Sequence, residues 1–109
     1  MFMVNARHII ADFFKCRNLG SLEGAEKILR KAVNDSGMTL VDVLKWSGGG
    51  YSLLALVVES HFSVHVWSEF RLVLVDVFTC GRGNPYPGLA VLKSYFKPEQ
   101  VNIREFRRA

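Results

Sequence analysis

From His61 to Val66 polar and apolar residues alternate one for one, and the same two faces extend over Glu59 to Trp67. Ser60, Phe62, Val64 and Val66 fall on one side of an extended chain, and Glu59, His61, Ser63, His65 and Trp67 fall on the other. The period is that of a strand with one face in a core. Its second face then carries two histidines, a serine and a carboxylate in the middle of the sequence. Such a strand is ordinarily half-buried, with its histidines satisfied by hydrogen bonds. Whether these side chains do chemistry depends on what surrounds them.

The runs on either side read as further strands. His8–Phe14 is rich in β-branched and aromatic residues, and Thr39–Lys45 is a second candidate. Tyr51–Val58 is almost uninterrupted by polar residues, with His61–Trp67 continuing or resuming the same strand. Ser68, Glu69 and Phe70 turn the chain into Arg71–Cys80, which is apolar on both faces for much of its length. Between the first two strands, Ala25, Ile28, Leu29, Ala32 and Val33 recur at helical spacing behind an N-cap at Ser21, and the helix ends before Gly37. Residues 81–88 read as a loop. Leu89, Ala90, Leu92, Tyr95 and Phe96 predict a shorter helix stopped by Pro98, and Val101–Phe106 a last strand. The expected fold is α+β, a two-layer α/β sandwich of order β-α-β-β-β-α-β, with a mostly antiparallel sheet and both helices on one face. The other face would stay apolar, which calls for a second sheet or subunit.

A chain of 109 residues, half of them hydrophobic, makes one globular domain and no more. The net charge of +4 rests partly on Arg104, Arg107 and Arg108, read as a solvated tail. No aromatic platform or binding module accompanies these cations, so nucleic acid is not expected as a partner. The longest apolar run is far short of the roughly 20 residues that cross a bilayer. Met1–Arg7 has no apolar signal region, so a cytoplasmic protein with reduced Cys16 and Cys80 is expected. No C-x-x-C pair suggests a metal. Ser47-Gly48-Gly49-Gly50 lacks the Lys-Ser/Thr and the helix of a phosphate-binding loop and reads as a turn.

Glu59-Ser60-His61-x-Ser63-x-His65-x-Trp67, followed by Asp76-Val77-Phe78-Thr79-Cys80-Gly81, resembles the small single-domain prokaryotic S-adenosylmethionine decarboxylase proenzymes. The resemblance extends to His8-Ile9-Ile10-Ala11-Asp12-Phe13 and so over nearly the whole chain. It departs locally at Ser68, where the family commonly has Pro, and at Ser47–Gly50. It implies that the chain cuts itself between Glu59 and Ser60 into a β chain of residues 1–59 and an α chain of residues 60–109, leaving a covalent pyruvoyl group at residue 60.

The chemistry accounts for the residue types. A serine hydroxyl that attacks the preceding carbonyl turns an amide into an ester, and β-elimination then frees the upstream chain. What remains at residue 60 hydrolyses to a ketone that condenses with an amino acid as a Schiff base and draws off the electrons left when CO2 departs. By resemblance, Ser60 is the cofactor precursor, His65 the base in the elimination, Ser52 a support for the ester, and Cys80 the donor that reprotonates the decarboxylated carbon. A thiol suits that task because both its forms are reachable near neutrality. Aligned without gaps, Trp46 falls where the family stacks an aromatic ring on adenine, and Glu69 where a carboxylate holds the ribose hydroxyls. The implied substrate is S-adenosylmethionine, and the implied assembly is a homodimer with active sites at its interface.

Taken singly, Trp46 is equally a core aromatic beside a turn, and Cys80 is more readily a buried structural thiol. Only the joint spacing of Cys80 with Ser60 and His65 favours catalysis there. Two other functions remain open at this point. One is a pyruvoyl-dependent arginine decarboxylase of the same fold, which would need an acidic partner for the guanidinium in place of Trp46. The other is a non-enzymatic interaction module.

Overall fold

The computed structural model describes residues 5–81 and 83–109. Strand β1 (Ala6–Phe14) is followed by helix α1 (Leu22–Asp35) and by β2 (Leu40–Ser47), β3 (Gly50–Val57), β4 (Ser60–Trp67) and β5 (Leu72–Thr79). Helix α2 (Pro85–Phe96) and β6 (Gln100–Arg108) complete the chain. The strands form one sheet in the order β2-β3-β4-β5-β1-β6, with every neighbouring pair antiparallel.

The α+β sandwich is the expected one, but it holds one more strand than the sequence suggested. Tyr51–Val58 and His61–Trp67 are two strands joined by a tight turn at Val58-Glu59, where Glu59 takes a left-handed conformation with φ 61°. No Gly, Pro or Asn marks that reversal, so the pattern runs through it. Helix α2 also begins earlier than expected, inside residues 81–88. Asn84 caps it by accepting a hydrogen bond from Tyr86 N at 3.2 Å, and Pro85 opens the first turn, where a missing N–H leaves nothing unpaired. Arg104, Arg107 and Arg108 lie in the edge strand β6 rather than in a solvated tail. The Arg108 guanidinium stands 5.4 Å from the Phe78 ring centre.

Alternation sorts the sheet into two faces. Phe13, Leu53, Phe62, Val64 and Val75 point to one side, where they meet Leu29 and Val33 of α1 and Leu92 and Phe96 of α2 in a single core. Ser21 caps α1 as expected, through Gly24 N at 3.0 Å. Tyr51 crosses this layer so that its hydroxyl donates to Leu19 O at 2.5 Å, and burial pushes its pKa up. The opposite face carries Trp46, Leu54, Leu56, His61, His65, Trp67, Leu74 and Phe78 and has no covering layer among the described residues; Leu56 is 51% exposed and Trp46 65%.

Two glycines permit close approaches. A Cβ at Gly88 would stand 2.4 Å from Ser36 Oγ and 2.7 Å from Ala32 O, so α2 seats on the end of α1 only without a side chain there. Gly50 starts β3 at φ 149°, and a Cβ there would meet Val66 O at 2.0 Å. Gly50→Ala should therefore cost at least about 2 kcal/mol, adding a collision to backbone strain. Urea unfolding of the variant should show this as a lower midpoint.

Candidate active site

The β3–β4 turn and the end of β5 bring together three of the residues singled out from the sequence. Ser60 opens β4 directly opposite Thr79, the last residue of β5, so Cys80 lies beside the turn. The Cys80 thiol donates to Glu59 O at 2.6 Å, and Cys80 N donates to Ser60 Oγ at 3.4 Å. One residue thus holds both the carbonyl before residue 60 and the hydroxyl that could attack it. Ser60 is buried, at 7% exposure, on the core side of the sheet. Met38, Thr39, Glu59, Ser60, Thr79 and Gly81 line a cleft of about 350 Å3 here.

A second cluster lies on the uncovered face. Ser52 and His65 are register partners across β3 and β4, with Ser52 Oγ 2.9 Å from His65 Nδ1. Trp46 pairs with Ser52 across β2 and β3, so the three side chains form a row over adjacent strands. The Trp46 indole folds back over the turn, where a Cβ on Gly48 would stand 2.5 Å from the ring. Glu69 lies beyond the far end of β4 in the 3-10 turn Ser68–Phe70. It shares a separate cleft of about 320 Å3 with Lys15, Arg17, Phe70, Arg71 and Glu99.

Ser60 and His65 are not brought together within one chain. Their spacing along β4 is odd, so they point to opposite faces, and at about 3.3 Å per residue they stand about 16 Å apart along the strand. Joint spacing in sequence, which linked His65 to Ser60 and Cys80, therefore does not translate into contact inside one subunit.

Pairings that sequence reasoning did not identify depend on long-range register. His8 Nε2 stands 3.1 Å from Asp76 Oδ1 because β1 lies beside β5. His61 stacks on Phe78 with ring centres 5.8 Å apart. Thr79 lines the cleft beside Ser60, and no local signal distinguishes it from any other strand threonine. Among the described residues no cluster of side chains could hold a metal ion.

The sequence profile of the family described as S-adenosylmethionine decarboxylase matches residues 7–109. The chain belongs to this family. The S-adenosylmethionine decarboxylase proenzyme of Aeropyrum pernix is 39% identical to it, over 86% of this chain and 76% of that protein. The proenzyme of the same name from Thermomicrobium roseum is 38% identical over 94% of this chain and 91% of its own length. The crystal structure of the adenosylmethionine decarboxylase from Aquifex aeolicus superposes with a TM-score of 0.80, covering 97% of this chain and 92% of that one at 24% identity. S-adenosylmethionine decarboxylase proenzymes of this family form a pyruvoyl group from a serine by self-cleavage. The cleft fits that origin chemically, since it holds a serine hydroxyl next to a carbonyl that already accepts a hydrogen bond.

The backbone before Ser60 is strained, because a left-handed glutamate costs about 1 kcal/mol relative to glycine. Glu59→Gly should accordingly raise the melting temperature of the uncut chain by about 4 °C. Calorimetry on protein that also carries Ser60→Ala, so that its covalent state cannot change, measures this directly.

Proposed function

We propose that this chain is a self-cleaving, pyruvoyl-dependent S-adenosylmethionine decarboxylase whose product feeds spermidine and polyamine synthesis. The observation that carries the reading is the grip of Cys80 on both Glu59 O and Ser60 Oγ, in a member of this family. Ser60 attacks the Glu59 carbonyl, which the Cys80 thiol polarises. The resulting ester is opened by β-elimination, separating residues 1–59 from residues 60–109. Once formed at residue 60, the pyruvoyl ketone supplies the electron sink for loss of CO2 from the substrate amino acid. Cys80, already beside residue 60, returns a proton to the carbon that lost CO2.

His65 acts as base in the elimination, with Ser52 hydrogen-bonded to its ring. Because His65 and Ser60 of one chain stand about 16 Å apart along β4, the pair that reacts comes from two copies. Two uncovered sheet faces pack together, burying Leu54, Leu56 and Leu74 and bringing Ser52 and His65 of one copy to the Ser60 end of the other. The substrate lies at the same interface, with Trp46 stacked on adenine and Glu69 accepting from the ribose hydroxyls. A cytoplasmic location accords with the free thiols of Cys16 and Cys80.

Intact mass spectrometry of the purified protein should find two pieces, residues 1–59 and residues 60–109, the second blocked at its amino terminus. An uncut chain after long incubation would refute the reading. Ser60→Ala and His65→Ala should each stay uncut alone. Unfolded and refolded together, they should yield cleaved His65→Ala chains, since each mixed dimer pairs an intact Ser60 with an intact His65. Cleavage of His65→Ala by itself would remove that residue from the reaction. For the substrate, Trp46→Ala should raise KM for S-adenosylmethionine at least about tenfold, as lost stacking and buried area together exceed about 1.4 kcal/mol. CO2 release assayed with S-adenosylmethionine and with arginine should occur with the first alone.

A further inference from the structure

Thr79 is 2% exposed, and its hydroxyl is a buried side-chain oxygen with no hydrogen-bond partner among the described residues. Buried polar groups are nearly always paired, and a valine would fill the same space without a hydroxyl to satisfy. The unpaired oxygen stands at one particular place. Thr79 is the register partner of Ser60, and both side chains point to the core side and line the cleft that Glu59 closes. Directly opposed residues of an antiparallel pair have Cβ atoms about 5 Å apart, so side-chain rotation can bring the two hydroxyls together. Ser60 Oγ itself is held only loosely, by the 3.4 Å contact from Cys80 N.

We infer that Thr79 is a positioning residue for formation of the cofactor, an inference that rests on the self-cleaving function proposed above. Its oxygen accepts a hydrogen bond from the Ser60 hydroxyl when that hydroxyl turns to react. The Ser60 proton is thereby drawn away from Glu59 O, which the Cys80 thiol already occupies, and an oxygen lone pair is left facing the Glu59 carbonyl carbon. In the step itself the Ser60 Oγ–Glu59 C bond forms and the Glu59 C–Ser60 N bond breaks. The hydroxyl proton ends on the released nitrogen, so an amide and an alcohol become an ester and an amine with no further reactant. A hydrogen bond absent at rest and made on the way to the transition state lowers the barrier instead of stabilising the precursor, which accounts for a hydroxyl left without a partner among the described residues of the uncut chain.

The test follows cleavage of newly synthesised full-length chain in cell-free translation, by gel and intact mass, for wild type, Thr79→Val and Thr79→Ser. Thr79→Val should cut at least about tenfold more slowly, the loss of one such hydrogen bond, while Thr79→Ser stays within about threefold of wild type. Thermal melts of both substitutions in uncut Ser60→Ala protein separate this role from a structural one. Thr79→Val should melt no lower than its parent. Wild-type cutting by Thr79→Val overturns the inference, as does slow cutting that merely follows a lowered melting temperature. If Thr79→Val does not fold, Thr79→Ala is read by the same criteria. A wild-type chain that never cuts defeats the function proposed above, and this inference with it, whereas a cutting wild type with an equally fast Thr79→Val defeats this inference alone.

Discussion

The register of β4 on β5 is the constraint on which the cleft depends. Phe62 faces Val77, Val64 faces Val75 and Val66 faces Val73, all buried against the helices. A slip of one residue would turn every one of these side chains onto the uncovered face, so the apolar pairs enforce a single alignment. That alignment sets Ser60 opposite Thr79 and brings the Cys80 thiol to Glu59 O. Hydrophobic burial along the length of two strands thus determines hydrogen bonds at their end.

The same alternation divides the chemistry. Core-side positions give the chain a single hydrophobic layer under α1 and α2, while the other positions leave leucines, tryptophans and histidines on a face that none of the described residues covers. The described residues form one sheet and two helices and supply no third layer. The polar groups on β4 are consequently separated, Ser60 on the core side and His65 on the uncovered side. A reaction using both, as proposed, requires a second copy, and the apolar residues that would hold that copy lie between the two groups. In this arrangement, assembly and activation depend on one surface.

Two local irregularities lie at the chemistry itself. Glu59 is left-handed immediately before the bond to be cut, and the Thr79 hydroxyl opposite it has no partner among the described residues. Lys15, Arg71 and Lys97 are left-handed as well, at strand and helix ends away from this cleft, while the helices keep their local rules. Ser21 and Asn84 cap their helices, Glu26 bridges Lys45 and Arg30, and Gly88 allows the helices to meet. The side-chain hydrogen bond from Lys45, followed by that from Arg30, lowers the pKa of Glu26.

The sequence alone determined the α+β class, the two-faced strand from Ser60 to Trp67, helix α1 with its Ser21 cap, and the family to which the motif around Ser60 pointed. These are legible because they rest on local period, local caps or residue identities at short spacing. Tertiary structure alone decided the reversal at Val58-Glu59, which carries no turn residue, and the early start of α2, where two prolines fit a first turn as well as a loop. It likewise decided that Arg104, Arg107 and Arg108 belong to an edge strand, since their place depends on pairing with β1. The odd spacing that parts Ser60 from His65 was visible in the alternation, but Cys80 meets Glu59 for a reason that no window of sequence contains: proximity across a sheet is set by which strands are neighbours and in what register, and both are fixed only when distant apolar residues close on a common core.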